Sequence, residues 1–190
     1  MHQSHMRYLL PALALVVLTC LVHKAEARTA DFRQVMLDMH NAERAVHRVP
    51  ALVWDEGFAA EATRYAVILA QRGVMEHSDQ SANARRYGEN LWMGTRGAFS
   101  YADMVGMFLE ERRYYLPRAV PDISTTGHWK DAGHYSQIIW RTTTRVGCGI
   151  ASGPDFDALV CRYDPAGNIW GRRAHDHAPG EARMMHIASK

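Results

Sequence analysis

The chain has little cysteine and no concentration of charge of either sign. Its 190 residues include three cysteines, 22 basic and 20 acidic side chains, for a formal net charge of +2. A nucleic-acid partner requires a concentrated basic face, which this composition does not provide. The chain also lacks internal repeats, and it lacks the alternation of strand and helix patterns that indicates a parallel α/β fold.

The common catalytic motifs are missing as well. There is no HExxH pair of zinc ligands with a built-in base, and no GxSxG nucleophile turn. Ser78 beside His77, and Ser136 two residues after His134, are adjacent hydroxyl groups whose spacing establishes no catalytic triad. The sequence therefore favours binding over catalysis.

The apolar run at the amino end is too short to cross a membrane. Tyr8–Val22 spans about 15 residues, whereas a transmembrane helix needs about 20. Arg7 precedes this run, and residues 25–27 (Ala-Glu-Ala) follow it as the small-x-small pattern that signal peptidase recognises. We predict a signal peptide over residues 1–27, no transmembrane anchor after cleavage, and a secreted protein, extracellular or, in a Gram-negative bacterium, periplasmic.

Two cysteines, Cys148 and Cys161, remain after the signal peptide has removed Cys20. In an oxidising compartment an even pair of cysteines is typical of a disulfide. The pair flanks the turn-rich segment 151–157, and an antiparallel hairpin centred near residues 154–155 would place the two cysteines opposite each other. We predict a disulfide between them; two buried free thiols are the alternative.

Three helices follow from apolar spacing and capping residues. The first runs from about residue 31 to residue 47, and the second begins after Asp55, a good N-cap, and ends at Gly73. The third starts with a capping-box pattern at Ser100 and ends before Pro117. Early helices followed by a late hairpin indicate an α+β domain with an antiparallel sheet.

The apolar face of the third helix continues into an acidic residue. Met104, Met107 and Phe108 lie on this face, and Glu111 takes the next position on it. Glu110 points about 100° away, toward solvent. A carboxylate at position 111 lies either at the wet edge of the stripe or in a cavity, and periodicity alone favours the edge.

The chain has two long motifs, residues 133–140 (GHYSQIIW) and 161–168 (CRYDPAGN), and four short ones at 77–78 (HS), 88–91 (GENL), 40–44 (HNAER) and 52–55 (LVWD). The long motifs resemble the two signatures of the CAP superfamily, which comprises cysteine-rich secretory proteins, insect venom antigen 5 and plant pathogenesis-related proteins. The short ones resemble other motifs of the same family. The match covers roughly residues 32–171, so we assign a CAP domain to 28–171. The polar residues 172–190, which lack apolar periodicity, are predicted to form a disordered tail.

The resemblance implies a three-layer α-β-α sandwich with a central antiparallel sheet. It also implies a central cleft lined by a tetrad of two histidines and two glutamates, here His77, Glu89, Glu111 and His134. This assignment moves Glu111 into the cleft and reverses the interpretation from periodicity. His77 and His134 would ligate zinc or another divalent metal, and Glu89 or Glu111 would be the base if the site were catalytic.

Members of the family are also associated with sterols, fatty acids and other lipids, in part through the loop after the third helix. The matching loop supplies seven aromatic or apolar residues, namely Tyr114, Tyr115, Leu116, Pro117, Val120, Pro121 and Ile123. We expect a lipid-like or other small ligand at the cleft or near this loop, carried rather than inserted into a membrane. An ordinary surface loop that packs its own aromatic side chains is the alternative.

Three functions therefore stay open from the sequence. The first is a secreted binding protein whose cleft holds a divalent metal, with a lipid or small ligand nearby. The second is a metal-dependent, protease-like hydrolase that uses the tetrad. The third is a non-catalytic protein that interacts with a host or another partner.

Overall fold

The computed structural model describes residues 31–81 and 86–176. The predicted signal peptide, residues 1–27, lies outside this part of the chain. The chain divides into two units, residues 1–34 and 35–190, and the first of these is helical over its described residues. The rest of the description concerns the second unit.

Eight elements are described, in the order α1, β1, α2, β2, α3, α4, β3 and β4. Their bounds are 31–46 for α1, Val53–Trp54 for β1, Glu56–Arg72 for α2, Gly88–Thr95 for β2, Tyr101–Glu110 for α3, Gly133–Ile138 for α4, Arg145–Ser152 for β3 and Phe156–Asp164 for β4. Two 3₁₀ turns, Glu111–Arg113 and Trp129–Ala132, connect α3 to α4.

The predicted caps of α2 and α3 are confirmed. The side chain of Asp55 accepts a hydrogen bond from the backbone N–H of Phe58, and Gly73 ends α2 with a φ of 62°, a left-handed conformation that glycine adopts without strain. Ser100 and Asp103 form the reciprocal capping box of α3.

The third helix is shorter than the sequence predicts: α3 ends at Glu110, and Glu111–Arg113 continue the chain as a 3₁₀ turn. The GHYSQIIW segment begins with the helix α4.

The sheet has the strand order β1-β3-β4-β2. β4 pairs antiparallel with both β3 and β2, as expected for the central sheet, and the two-residue β1 adds a parallel edge to β3. Cys148 lies directly opposite Cys161 across the β3–β4 hairpin, and the two form a disulfide, as predicted.

Helix α2 packs on one face of this sheet, mainly on β3 and β4. A buried apolar cluster joins this helix to the sheet. It consists of Ala62, Ala66, Leu69 and Ala70 from α2, Leu91 from β2, and Ala158 and Val160 from β4. Two strand glycines allow the close approach: a Cβ atom at Gly149 would lie 2.1 Å from the backbone nitrogen of Thr63. A Cβ atom at Gly147 would lie 2.4 Å from the backbone nitrogen of Ala59.

Helices α1, α3 and α4 belong to the opposite side of the sheet, where the ring of Tyr163 meets His40 of α1. The three-layer α-β-α class is therefore confirmed, with a mixed rather than purely antiparallel sheet because of β1. No helix among the described residues is long and apolar enough to span a membrane.

Arg44 joins α1 to the chain around α4. It is fully buried, and its guanidinium donates to four backbone carbonyls, those of Pro50, Ile138, Trp140 and Thr143. Burial lowers the pKa of this side chain to about 10, which still leaves it charged at neutral pH. The Arg44 position of the HNAER motif is thus a structural one.

Residues 172–176 differ from the predicted tail. The backbone N–H of Val120 donates to the carbonyl of Arg172 at 3.0 Å, the N–H of Arg141 donates to the carbonyl of Ala174 at 2.7 Å, and Ala174 is buried. These contacts hold residues 172–176 to the domain, and the sequence carries no periodic signal for them. The rest of the predicted tail, residues 177–190, lies outside the described residues.

Candidate functional site

Glu111 and His134 form one of two histidine–glutamate pairs. Oε2 of Glu111 accepts the backbone N–H groups of His134 and Tyr135, at 2.9 and 3.1 Å, where α4 begins. Oε1 lies 2.5 Å from Nδ1 of His134. A carboxylate can only accept, so Nδ1 carries a proton, and in the neutral ring the lone pair then lies on Nε2. The ring of Phe108 packs 4.7 Å from the imidazole and fixes its plane.

Glu89 and His77 form the second pair at the start of β2. Oε1 of Glu89 lies 3.0 Å from Nδ1 of His77 and accepts the N–H of Ser78 at 2.9 Å. Oε2 accepts the hydroxyl of Ser78 at 2.8 Å. Burial would raise the pKa of Glu89, but the bonds from His77 and Ser78 outweigh it, so the pKa lies below its ordinary value. Glu89 is therefore ionised at neutral pH.

Asn90 connects the two pairs. Its side-chain amide donates to the carbonyl of His134 at 3.1 Å and to the hydroxyl of Tyr163 at 3.1 Å. His40 bonds to the same hydroxyl through Nε2, at 2.8 Å, and through Nδ1 to the carbonyl of Met36. The residue next to Glu89 thus holds the backbone of His134, which brings the GEN and GHY motifs to one end of the sheet.

The four tetrad residues are therefore organised as two pairs. Within residues 31–81 and 86–176, no cluster of three or more His, Cys, Asp or Glu side chains has a geometry that would hold a metal ion. A metal at His77 and His134 would need water, or one carboxylate released from its histidine, to complete its ligands.

A buried arginine behind Glu89 escaped the sequence predictions. Arg162 faces Glu89 across the β2–β4 pairing, and its Nε lies 3.7 Å from Oε2 of Glu89. Its other end donates to Glu61 at 2.6 Å. Only the pairing register of β2 and β4 reveals this neighbour, because 73 positions separate the two residues in the chain.

A second polar cluster lies behind His134 and was also missed. The hydroxyl of Tyr135 donates to Glu43 at 2.7 Å and lies 2.6 Å from Nε2 of His47, and Arg112 pairs with Glu43 at 3.2 Å. Burial and the bond to Glu43 raise the pKa of Tyr135, which keeps its hydroxyl protonated. The cluster anchors α4 to α1.

The predicted ligand loop contributes part of its apolar side chains to the core. Val120 and Ile123 are buried, whereas Tyr114, Leu116 and Pro121 are partly exposed. Pro117 is exposed, and the ring centroid of Tyr115 lies 5.2 Å from that of Tyr135. The loop therefore packs several of its own apolar groups and leaves a smaller apolar surface than its composition indicates.

Two tryptophans lie beside the start of α4. Trp129 and Trp170 meet edge to face, with ring centroids 6.4 Å apart. Trp170 is 67% exposed to solvent. Trp129 lies against Gly133, where a Cβ atom would be 3.2 Å from its ring. The pair is thus adjacent to His134.

Comparison with known proteins identifies a family and structures of the same fold. The profile described as "Cysteine-rich secretory protein family" (CAP) matches residues 37–163. Pathogenesis-related protein 1A of Nicotiana tabacum is 36% identical and covers 85% of this chain and 93% of its own, and a pathogenesis-related protein of PR-1 type from Sambucus nigra is 34% identical, with 86% and 94% covered. The crystal structure of NaASP2 with Zn²⁺ superposes with a TM-score of 0.60 at 22% identity over 77% of this chain and 85% of that one. Hookworm platelet inhibitor superposes with a TM-score of 0.61 at 15% identity, with 78% and 76% covered. Both structures share the fold.

Proposed function

Because this chain belongs to the cysteine-rich secretory protein (CAP) family, we propose that it is an exported binding protein with a divalent metal site, zinc first, at His77 and His134. One observation supports the metal site. Each imidazole bonds through Nδ1 to a glutamate, which leaves Nε2 available as a metal ligand. Zinc-binding histidines typically have such a carboxylate partner, which orients the ring and raises its basicity. A bound ion would polarise an oxygen atom of the ligand that it meets.

Binding has more support than hydrolysis. A metal hydrolase needs a carboxylate that is free to accept a proton from water. Both oxygens of Glu111 and both oxygens of Glu89 are already engaged by histidine and by neighbouring N–H or O–H groups. Each glutamate thus serves its own histidine, and neither is poised as a base.

A lipid-like ligand is the second part of the proposal. The partly exposed side chains Tyr114, Leu116 and Pro121, with Pro117 beside them, supply the apolar contact at the loop. Mass spectrometry of protein purified from its export compartment is expected to detect a bound lipid, and Leu116→Asp is expected to lose it. A protein that carries no lipid and takes up none from added sterol or fatty acid would contradict this part.

The metal is tested by zinc binding to the purified chain. Isothermal titration and elemental analysis are expected to give one zinc ion per chain, and the His77→Ala/His134→Ala double variant is expected to lose it. His128→Ala is the matched control, because His128 is an exposed histidine outside both pairs. Retention of zinc by the double variant, or none bound by the wild type, would contradict the site.

Export is tested by the amino terminus of the mature protein. The proposed cleavage after residue 27 predicts that the exported chain begins at Arg28. Amino-terminal sequencing of the exported form checks this directly. A mature chain that still contains the apolar run 8–22 would show that it serves as an anchor instead.

A further inference from the structure

Arg162 is a buried positive charge beside Glu89 of the candidate site. It projects from β4 toward α2, and only 7% of its side chain is exposed. Its guanidinium carbon lies 4.5 Å from the ring centroid of Tyr87 and 5.9 Å from that of Tyr65. Both rings lie within the range of a cation–π contact, so aromatic contact as well as charge holds the guanidinium.

The guanidinium makes contacts at both ends. Its outer end donates to Glu61 on α2, which is 42% exposed. Its inner end directs Nε toward Glu89, whose side chain is 2% exposed, at 3.7 Å. Nε is buried and makes no hydrogen bond among the described residues. Leaving such a donor unsatisfied is costly, and Glu89 is the nearby acceptor that an approach of under 1 Å would bring into bonding range.

Glu89 is the only hydrogen-bond partner that the described structure gives to His77. The imidazole is 66% exposed and bonds to Oε1 of Glu89. His134, by contrast, is also packed against Phe108. The direction of Nε2 of His77 therefore depends on how firmly Glu89 is held.

We propose that Arg162 is a positioning residue for the metal site. It holds the Glu89 carboxylate from behind, so that Oε1 stays aimed at Nδ1 of His77 and Nε2 points outward as a ligand. The inference rests on the proposed metal-binding function. It adds residues that hold Glu89, which in turn holds His77, through contacts that run from Glu61 on α2 to Arg162 and then to Glu89. Loss of a partner in such outer layers typically weakens metal binding 10- to 100-fold.

The test compares Arg162→Gln with Arg145→Gln. Arg145→Gln is the matched control, because it removes the same positive charge. Arg145 also bridges two carboxylates, those of Asp55 and Asp164, but it has no hydrogen bond to either histidine–glutamate pair. We expect Arg162→Gln to weaken zinc binding by about tenfold or more, and Arg145→Gln to leave it unchanged. Arg162→Lys, which keeps the charge near Glu89, is expected to recover most of the affinity.

A second readout needs no metal. The ¹⁵N chemical shifts of the His77 ring at pH 8 are expected to show a protonated Nδ1 and a bare Nε2 in the wild type. Arg162→Gln frees Glu89 to turn, so these shifts should move toward a mixture of the two tautomers. If the wild type binds no zinc, the proposed function fails, and the ¹⁵N shifts alone decide the role of Arg162.

The proposal is overturned if folded Arg162→Gln keeps both the zinc affinity and the His77 shifts of the wild type. Far-ultraviolet circular dichroism and the unfolding midpoint establish that the variant is folded. Should it not fold, Glu61→Gln replaces it, because this change releases only the exposed outer end of the guanidinium. For Glu61→Gln, a loss of zinc affinity smaller than tenfold together with a partial change in the His77 ¹⁵N shifts supports the proposal. If neither the zinc affinity nor the shifts change, the proposal is overturned.

Discussion

The imidazole of His40 is fully buried between a backbone carbonyl and a tyrosine hydroxyl. Nδ1 bonds to the carbonyl of Met36 at 2.6 Å, so Nε2 accepts from the hydroxyl of Tyr163 at 2.8 Å. In the neutral ring the proton lies on Nδ1, and Nε2 is the acceptor for this hydroxyl. Burial, opposed by the bond to Met36 and aided by the charge of Arg44, lowers the pKa to about 4.

Acid stability follows from that buried ring. The unfolded histidine, with a pKa of 6.5, takes up a proton before the folded one does, so the unfolded state binds more protons between pH 6.5 and pH 4. Stability is therefore complete above pH 6.5 and falls as the pH drops toward 4, by roughly 3 kcal/mol. Urea unfolding across this range is expected to show a steeper decline in the wild type than in His40→Gln. Equal slopes would contradict the prediction.

Glu111 offers a sharp comparison with its neighbour Glu110. Glu111→Gln removes a charged acceptor from two N–H groups and one imidazole, and is expected to lower the free energy of unfolding by about 2 kcal/mol. Glu110→Gln changes the same charge on an exposed side chain and is expected to stay within about 0.5 kcal/mol of the wild type. Chemical denaturation of both variants measures the difference in the free energy of unfolding. Equal effects would contradict the stabilising role of the Glu111 carboxylate.

Sequence motifs located the tetrad residues but not the groups that hold them. His77, Glu89, Glu111 and His134 were assigned by resemblance, and the structure then pairs each histidine with a glutamate. The supports of Glu89 are different in kind. Ser78 acts through its backbone as well as its hydroxyl, and Arg162 arrives by strand pairing, so neither contact has a local signature.

At the scale of elements, the packing of α2 depends on missing side chains in β3. Gly149→Ala would place a methyl group 2.1 Å from the backbone nitrogen of Thr63, and helix backbone cannot move away as a flexible side chain can. We expect a loss of about 2–3 kcal/mol in the free energy of unfolding. Gly106→Ala is the control, since a Cβ atom there meets nothing within 4 Å; in the middle of α3 it should stabilise by about 0.5–1 kcal/mol.

A result in which Gly149→Ala is neutral would mean that α2 can move away from β3 without cost. Urea unfolding curves for both glycine variants measure this, and near-ultraviolet circular dichroism shows whether the packing itself changes. The opposite signs expected for two identical substitutions exclude a general effect of alanine.

The helices were predictable because their ends carry local chemistry. Asp55 and Ser100 begin α2 and α3 through hydrogen bonds within a few residues, and Gly73 ends α2 through its backbone conformation. The strands β1 and β2 were not predicted. β1 has two residues, and β2 begins with the polar run Gly88–Asn90, whose side chains serve the site instead of showing apolar alternation.

For the whole molecule, one covalent link fastens the two central strands. Cys148 and Cys161 are both buried, and their bond closes a short segment of chain. Replacing both by alanine is expected to lower the free energy of unfolding by about 3 kcal/mol, chiefly because the unfolded chain gains freedom. Thiol reductant should lower the urea midpoint of the wild type to that of the variant and leave the variant unchanged. A reductant effect on the variant would contradict this explanation.

The complete fold followed from resemblance rather than from periodicity. Local patterns indicated three helices and a hairpin, which fit many α+β arrangements. The order of layers depends on distant contacts such as those of Arg44 with the carbonyls of Ile138 and Thr143, and a single sequence contains no local record of them. The family motifs supply that information because they carry the whole arrangement with them.

The tryptophan pair next to His134 gives the protein an optical signal of its own. Trp170 is 67% exposed and should emit at the long wavelengths typical of indole in water. Trp129 lies against Gly133, the residue before His134, which is a candidate metal ligand. A metal or organic molecule that arrives at His134 would change the surroundings of these rings. Occupancy can therefore be followed by intrinsic fluorescence, with Trp170→Phe to assign the change, and without any attached dye.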